Sequence, residues 1–124
     1  MARVFLAIAS ILGALSVAGG AFGAHALKGQ LTETALGSFE TGIRYQMYHA
    51  IALLVVALFI SQYPDVKGLV TAGWCFIAGI ILFSGSLYGL SLASIKALGP
   101  VTPLGGAAFI AGWICLAWSS AKLL

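Results

Sequence analysis

Charge is what this sequence has least of: six basic and three acidic side chains in 124 residues, 7% charged against 61% hydrophobic. Soluble globular domains carry about a quarter of their residues as charges. This scarcity excludes a water-soluble fold and points to an integral membrane protein. The cations Arg3, Lys28, Arg44, Lys67, Lys96 and Lys122 stand singly. No basic patch can neutralise a run of phosphates, so nucleic acid is not an expected partner.

Membrane-embedded carboxylates are missing too. Glu33, Glu40 and Asp65 all fall in or near expected connections, which leaves no proton-coupling switch of the kind a small multidrug antiporter needs. Cysteine is sparse: Cys75 and Cys115 lie alone in apolar runs, without a CxxC pair or a disulfide framework, and act as small hydrophobes. No HExxH, phosphate loop or Ser-His-Asp order occurs. A nucleophile or base therefore has no partner, and the expectation is a non-enzymatic protein with no cofactor.

Apolar length is what the sequence has in plenty. About 20 residues at 1.5 Å rise cross a bilayer, and four stretches qualify, at approximately 4–27, 45–62, 69–95 and 101–121. The links "SQYPDVKG" and "KALGPVTP" are short, with Tyr63 as an interfacial aromatic and Pro64 as a stop. Such links make successive helices antiparallel neighbours. The expected fold is all-α, an integral membrane four-helix up-down bundle forming one membrane domain over 1–124, with both termini on one side.

The first link is longer. "KGQLTETALGSFETGIRYQMYHA" offers Thr32 or Thr34 as an N-cap, Glu33 near a helix start, and Phe39 and Ile43 at helical spacing. It reads as a short interfacial helix between spans one and two that bends at Gly37 or runs on into the second span. Glu40 precedes Arg44 by four residues and reads as an ion pair at the interface. Three cations fall on each side, so the positive-inside count is tied. Arg3 ahead of the first span favours cytoplasmic termini, in the inner or plasma membrane. Ala24-His25-Ala26 matches a small-x-small cleavage rule, yet the apolar run exceeds a signal core of roughly 7 to 15 residues. The first span is expected to be kept.

Glycine spacing supplies a packing expectation. Gly19-x-x-Phe22-Gly23 in span one echoes Gly85-x-x-Tyr88-Gly89 in span three. Both are GxxxG spacings that bare one helix face, so spans one and three are expected to cross there, with Ala108 and Gly112 making a similar contact. Trp74, Trp113, Trp118, Phe83 and Tyr88 read as packing or interfacial anchors.

The informative polar segment is "TGIRYQMYHA", residues 41–50. Tyr45 and Gln46 lie four and three residues before His49 and share its side of a helix. His25, at the exit of span one, lies at the same membrane face, so the histidines are expected to meet. Three readings stay open. His25 and His49 could hold helix-end carbonyls and cross-helix bonds with Tyr45, Gln46 and Ser86. They could line a small-molecule binding site or transport path. They could ligate haem or another tetrapyrrole. Zinc lacks a third ligand.

"GAFGAHAL", "FETGIRYQMYHAIALL", "LFSGSLYGLSL" and "TPLGGAAFIAGW" together closely resemble, over essentially the whole chain, a small membrane-protein family. It is the domain of unknown function four hundred and twenty-three, the YgdD-like and YwdK-like proteins. The positions matching its signature are Gly20, Phe22, Gly23, His25, Phe39, Gly42, Tyr45, Gln46, Tyr48, His49, Gly85, Ser86, Tyr88, Pro103, Gly105 and Gly106. The resemblance implies four spans in an inner or plasma membrane and no known activity. The leading expectation is an accessory or assembly subunit, surrounded by membrane lipids, that packs its small-residue faces against itself as a homo-oligomer or against a larger membrane complex. The alternative is small-molecule binding or transport near His25 and His49, and haem binding is a lesser one.

Overall fold

The structure, a computed structural model, describes residues 1–123 and is all-helical apart from turns. Four helical rods are long and apolar enough to cross a membrane: Ala2–Leu27, Glu33–Gln62, Lys67–Ala93 and Lys96–Ser120. The first is α1 (Ala2–Phe22) continued by a π turn, Gly23–Leu27. The second is α2 (Glu33–Gln62). The third comprises α3 (Lys67–Gly79), a π turn at Ile80–Ser84 and α4 (Gly85–Ala93). A short 3-10 turn, Lys96–Leu98, leads to α5 (Val101–Ser120).

Local chemistry sets the ends. Thr32 caps α2, its Oγ1 accepting from Ala35 N–H at 3.1 Å, with Glu33 in the first turn where the helix dipole favours an anion. Gly29 takes a φ of +88°, which lets the five residues 28–32 turn the chain between the first rod and α2. Tyr63 N–H closes α2 on Phe59 O at 2.8 Å before Pro64. Of the two courses expected for the short interfacial helix, it runs on into the second span as the first three turns of α2, with no break at Gly37. Once Thr32 caps the start, no residue between it and the span stops the helix. The Glu40–Arg44 ion pair does not form; Arg44 Nη2 donates to Thr41 Oγ1 at 3.2 Å.

The helices are not equivalent. Of the most apolar stretch of α2 and of the third rod, 44% and 33% is buried, against 17% for each of the first and last. The second and third rods form the inside of the bundle. α1 packs along α2, and α5 packs along α3 and its π turn. At the end near the termini, Phe5 reaches from α1 to α3, fully buried, its ring 5.3 Å from Trp74 edge to face. Around it lie Leu53, Val56, Leu69, Ala72 and Phe76.

Glycine notches fit bulky side chains across each seam. A Cβ at Gly19 would meet Ile43, and one at Gly23 would stand 2.8 Å from Phe39 Cε1. On α2, one at Gly42 would stand 2.7 Å from Tyr88 Cε1. Gly73 receives Phe5, Gly79 receives Phe109, and Gly112 receives Phe76. Gly19 and Gly23 thus face α2, not span three. Gly85 touches nothing within 4 Å, and Gly89 receives Leu98 from the turn that follows its own helix. The expected crossing of spans one and three at these glycines is therefore corrected. Gly112 lies against Phe76 and Cys75 of α3, and Ala108 is half-buried.

The tightest approach is backbone to backbone. The π turn pushes Phe83 toward α5, and a Cβ at Gly105 would lie 2.6 Å from Phe83 Cα. No rotamer change relieves that contact. Gly105→Ala is expected to destabilise by about 1–3 kcal/mol through overpacking. Its neighbour Gly106 meets nothing within 4 Å, so Gly106→Ala is expected to be neutral or stabilising by up to about 1 kcal/mol. Thermal melts of both variants in the same detergent check the contrast; equal losses would refute this account of Gly105.

Candidate functional site

Most polar side chains of the bundle interior are paired, several of them from rod to rod. Gln46, buried on α2, donates from Nε2 to Leu12 O of α1 at 3.0 Å. Its Oε1 accepts from Tyr88 OH of α4 at 2.6 Å. One amide thereby ties three rods. Beside it Ser84 Oγ donates to Gly42 O at 2.6 Å, and Ser86 Oγ pairs with Thr102 Oγ1 of α5 at 2.5 Å. In hydrocarbon an unpaired polar group costs several kcal/mol, on the order of 4–8 by water-to-cyclohexane transfer. The pairing is thus what lets these groups lie inside.

His49 ties α2 to α5. Trp113 Nε1–H donates to His49 Nε2 at 3.1 Å. An indole only donates, so Nε2 is the unprotonated nitrogen, and Nδ1–H donates to Tyr45 O at 2.8 Å. The ring also stacks on Phe109, with centroids 3.6 Å apart and planes at 8°. Both nitrogens of the buried imidazole are engaged. It has no lone pair for a haem iron or zinc unless the Trp113 bond breaks. Among the described residues, no three His, Cys, Asp or Glu side chains cluster as a metal site.

The five residues expected as a ligand entrance are distributed differently. Gln46 and Ser86 are buried and internally bonded. His25 is exposed on the π turn that ends span one. Because Gly19 faces Ile43 and Gly23 faces Phe39, His25 lies level with Gly37, twelve residues before His49, about 18 Å at 1.5 Å per residue. The two histidines do not meet. Tyr45 and His49 do share a surface, a groove of about 390 Å³ lined by both residues with Phe83, Gly106, Phe109, Ile110 and Trp113.

Sequence reasoning missed Leu12, Ser84, Tyr88, Thr102 and Trp113 as partners in this network. Spacing along one helix gave no sign of them, because each partner comes from a different rod. Ser119, at the far end of the α3–α5 seam, is a contrast: its Oγ is buried without a hydrogen bond to any described residue and lies against Gly68.

The comparisons with known proteins place the chain. A family profile described as "Protein of unknown function (DUF423)" matches residues 19–106, from the first glycine notch to the Gly105–Gly106 pair. The chain belongs to the DUF423 family. It is 46% identical over 122 residues to UPF0382 membrane protein YwdK of Bacillus subtilis, covering 98% of this chain and 99% of that one. It is 45% identical to UPF0382 membrane protein SAB0533 of Staphylococcus aureus, over 92% of each. To a UPF0382 membrane protein of Haemophilus influenzae it is 41% identical, over 98% and 97%. No solved structure is a significant match. With four apolar rods and relatives named as membrane proteins, this DUF423 chain is a multi-pass membrane protein.

The network predicts non-additive energetics in this DUF423 protein. Gln46→Leu removes the acceptor of Tyr88 and is expected to destabilise by about 1–3 kcal/mol, the cost of a stranded buried hydroxyl. Adding Tyr88→Phe should recover part of that loss, because no donor is then left unpaired. Melting of the single and double variants measures the coupling; strict additivity would show that the bond contributes nothing.

Proposed function

We propose that this chain is a non-enzymatic accessory subunit that docks laterally in the membrane, against a second copy of itself or a larger membrane complex. The observation that supports this reading is Gly85. It lies exposed on the third rod, and a Cβ there would meet nothing within 4 Å. Glycine in a helix interior costs about 0.8–1.0 kcal/mol relative to alanine, and no contact inside this chain offsets that. On the same helical face Ile81 and Leu92, four before and seven after, are exposed at 65% and 49%. Gly85 is thus a notch between two apolar ridges, the shape into which another helix fits. Helices in lipid gain little from apolar burial and associate through close van der Waals packing, which a glycine notch permits. The interior supports the same reading, since its hydroxyls and amides are spent on holding the rods together.

Gly85→Leu fills the notch without touching any internal contact. It is expected to move the gently extracted protein on a native gel from an assembled band to a smaller one, with an unchanged melting temperature. An unshifted band, or a wild-type protein that already migrates as a lone monomer, would count against lateral docking.

Four crossings place the N-terminus, the 63–66 turn and the end of α5 at one face. We take that face as cytoplasmic, in the cell membrane, from Arg3 ahead of the first rod. Alkaline phosphatase fused after the last residue is expected to be inactive, and a fluorescent protein there to glow. Active phosphatase would reverse the orientation.

A further inference from the structure

The chain's two cysteines, Cys75 and Cys115, are far apart in sequence, and the packing of α3 against α5 brings them together. A Cβ added to Gly112 of α5 would lie 3.2 Å from Cys75 Cβ of α3. Cys115 follows Gly112 by three residues and shares its helix face, where such neighbours have Cβ atoms about 5–6 Å apart. The two thiols come within hydrogen-bonding reach of each other. Both are free and half-buried. Trp74 and Ile114, next to them in the chain, are 48% and 62% exposed, so this flank of the seam opens to lipid. At 1.5 Å per residue Cys75 lies about 12 Å beyond Lys67, and Cys115 about 10 Å before Lys122. The pair is thus level within one leaflet, below the face that carries the termini. The case for it does not depend on lateral docking.

Two thiols in contact at that depth select a reaction. They can give up two electrons together by closing to a disulfide, a neutral bond that hydrocarbon tolerates where it would reject an ionised product. A water-borne oxidant must first cross hydrocarbon to reach them. Acyl chains already lie along this flank, so a peroxide formed on one of them is delivered without a pocket to hold it. We propose that Cys75 and Cys115 reduce a lipid hydroperoxide, one for each chain, and close to a disulfide that joins α3 to α5. One thiol attacks the peroxide oxygen, breaks the O–O bond and becomes a sulfenic acid, its proton leaving with the lipid alcohol. The second sulfur then displaces the hydroxyl, which takes the second thiol proton and departs as water. Two thiols are oxidised and one O–O bond is reduced. A resolving thiol already in place diverts the sulfenic acid to a disulfide before it is oxidised further to sulfinic acid. The event is stoichiometric and leaves the non-enzymatic reading intact.

The test uses the unmodified full chain in vesicles of saturated phosphatidylcholine. An equimolar phospholipid hydroperoxide should remove both thiols from maleimide labelling after denaturation and lower the intact mass by about 2 Da. The chain should stay a monomer on a denaturing, non-reducing gel, and a reducing agent should restore both thiols. Hydrogen peroxide supplied from water at the same concentration should act at least about tenfold more slowly, because access limits it. In one of the two single variants, Cys75→Ser or Cys115→Ser, the remaining thiol should be trapped by dimedone as a sulfenic acid. Two thiols still labelled after the hydroperoxide would show that the pair only packs, and overturns the proposal. So does a bond between copies in place of one within the chain, or equal rates with the two peroxides. The mass and the labelling are read on the unmodified chain, so they decide the matter whether or not either variant folds.

Discussion

Two bulky side chains cannot occupy the same place in a helix seam, and in lipid there is no hydrophobic drive to force them together. This bundle meets that constraint with a glycine on one side of each seam and a ring or branched chain on the other: Phe39 at Gly23, Tyr88 at Gly42, Phe5 at Gly73, Phe76 at Gly112. At Gly105 the knob is the backbone of Phe83 itself, carried outward by the π turn. π turns add a residue to a helix and recur at functional positions. Here the extra residue also aims Ser84 at Gly42 O and turns Phe83 toward Tyr45 and Phe109. One local irregularity thus serves the packing, the polar network and one wall of the groove.

The polar network follows from that packing. Only with α1, α2 and α4 held close can one glutamine amide reach both Leu12 O and Tyr88 OH. In water such bonds contribute about 1 kcal/mol each, because water competes for both partners. In a bilayer interior their chief effect is specificity, since an alternative packing would leave amides and hydroxyls unpaired. That is why the interior reads as structural. Ser119 is the exception, its buried Oγ without a hydrogen bond to any described residue.

Much of the architecture was legible in the sequence. Hydropathy alone marks four spans, and their boundaries shift by only a few residues except at α2, which begins at Glu33 because Thr32 caps it. The candidate site was legible in membership and not in arrangement. A histidine four residues after a tyrosine does bond that residue's carbonyl, which is local geometry. Trp113 at His49 and Thr102 at Ser86 are contacts between rods far apart in sequence, and no helical period encodes them. The GxxxG echo misled for a related reason. The spacing says that a face is bare, but which neighbour fills it depends on the partner's side chains: Ile43 and Phe39 fill Gly19 and Gly23, while Gly85 is left open.

An open glycine carries different information in lipid than in water. On a soluble surface it is an unremarked flexible point; on a membrane helix it is a helix-weakening residue facing chains that gain nothing from its absence of a side chain. Gly85 and Gly106 are both of this kind, yet their surroundings differ. Gly85 stands on the third rod between Ile81 and Leu92, all three exposed. Gly106 stands in a groove lined by Tyr45, Phe83, Phe109 and Trp113. The same residue type on neighbouring rods therefore opens two unlike surfaces, one on an exposed rod face between apolar side chains and one in a groove lined by rings. The side chains around each glycine are what separate them.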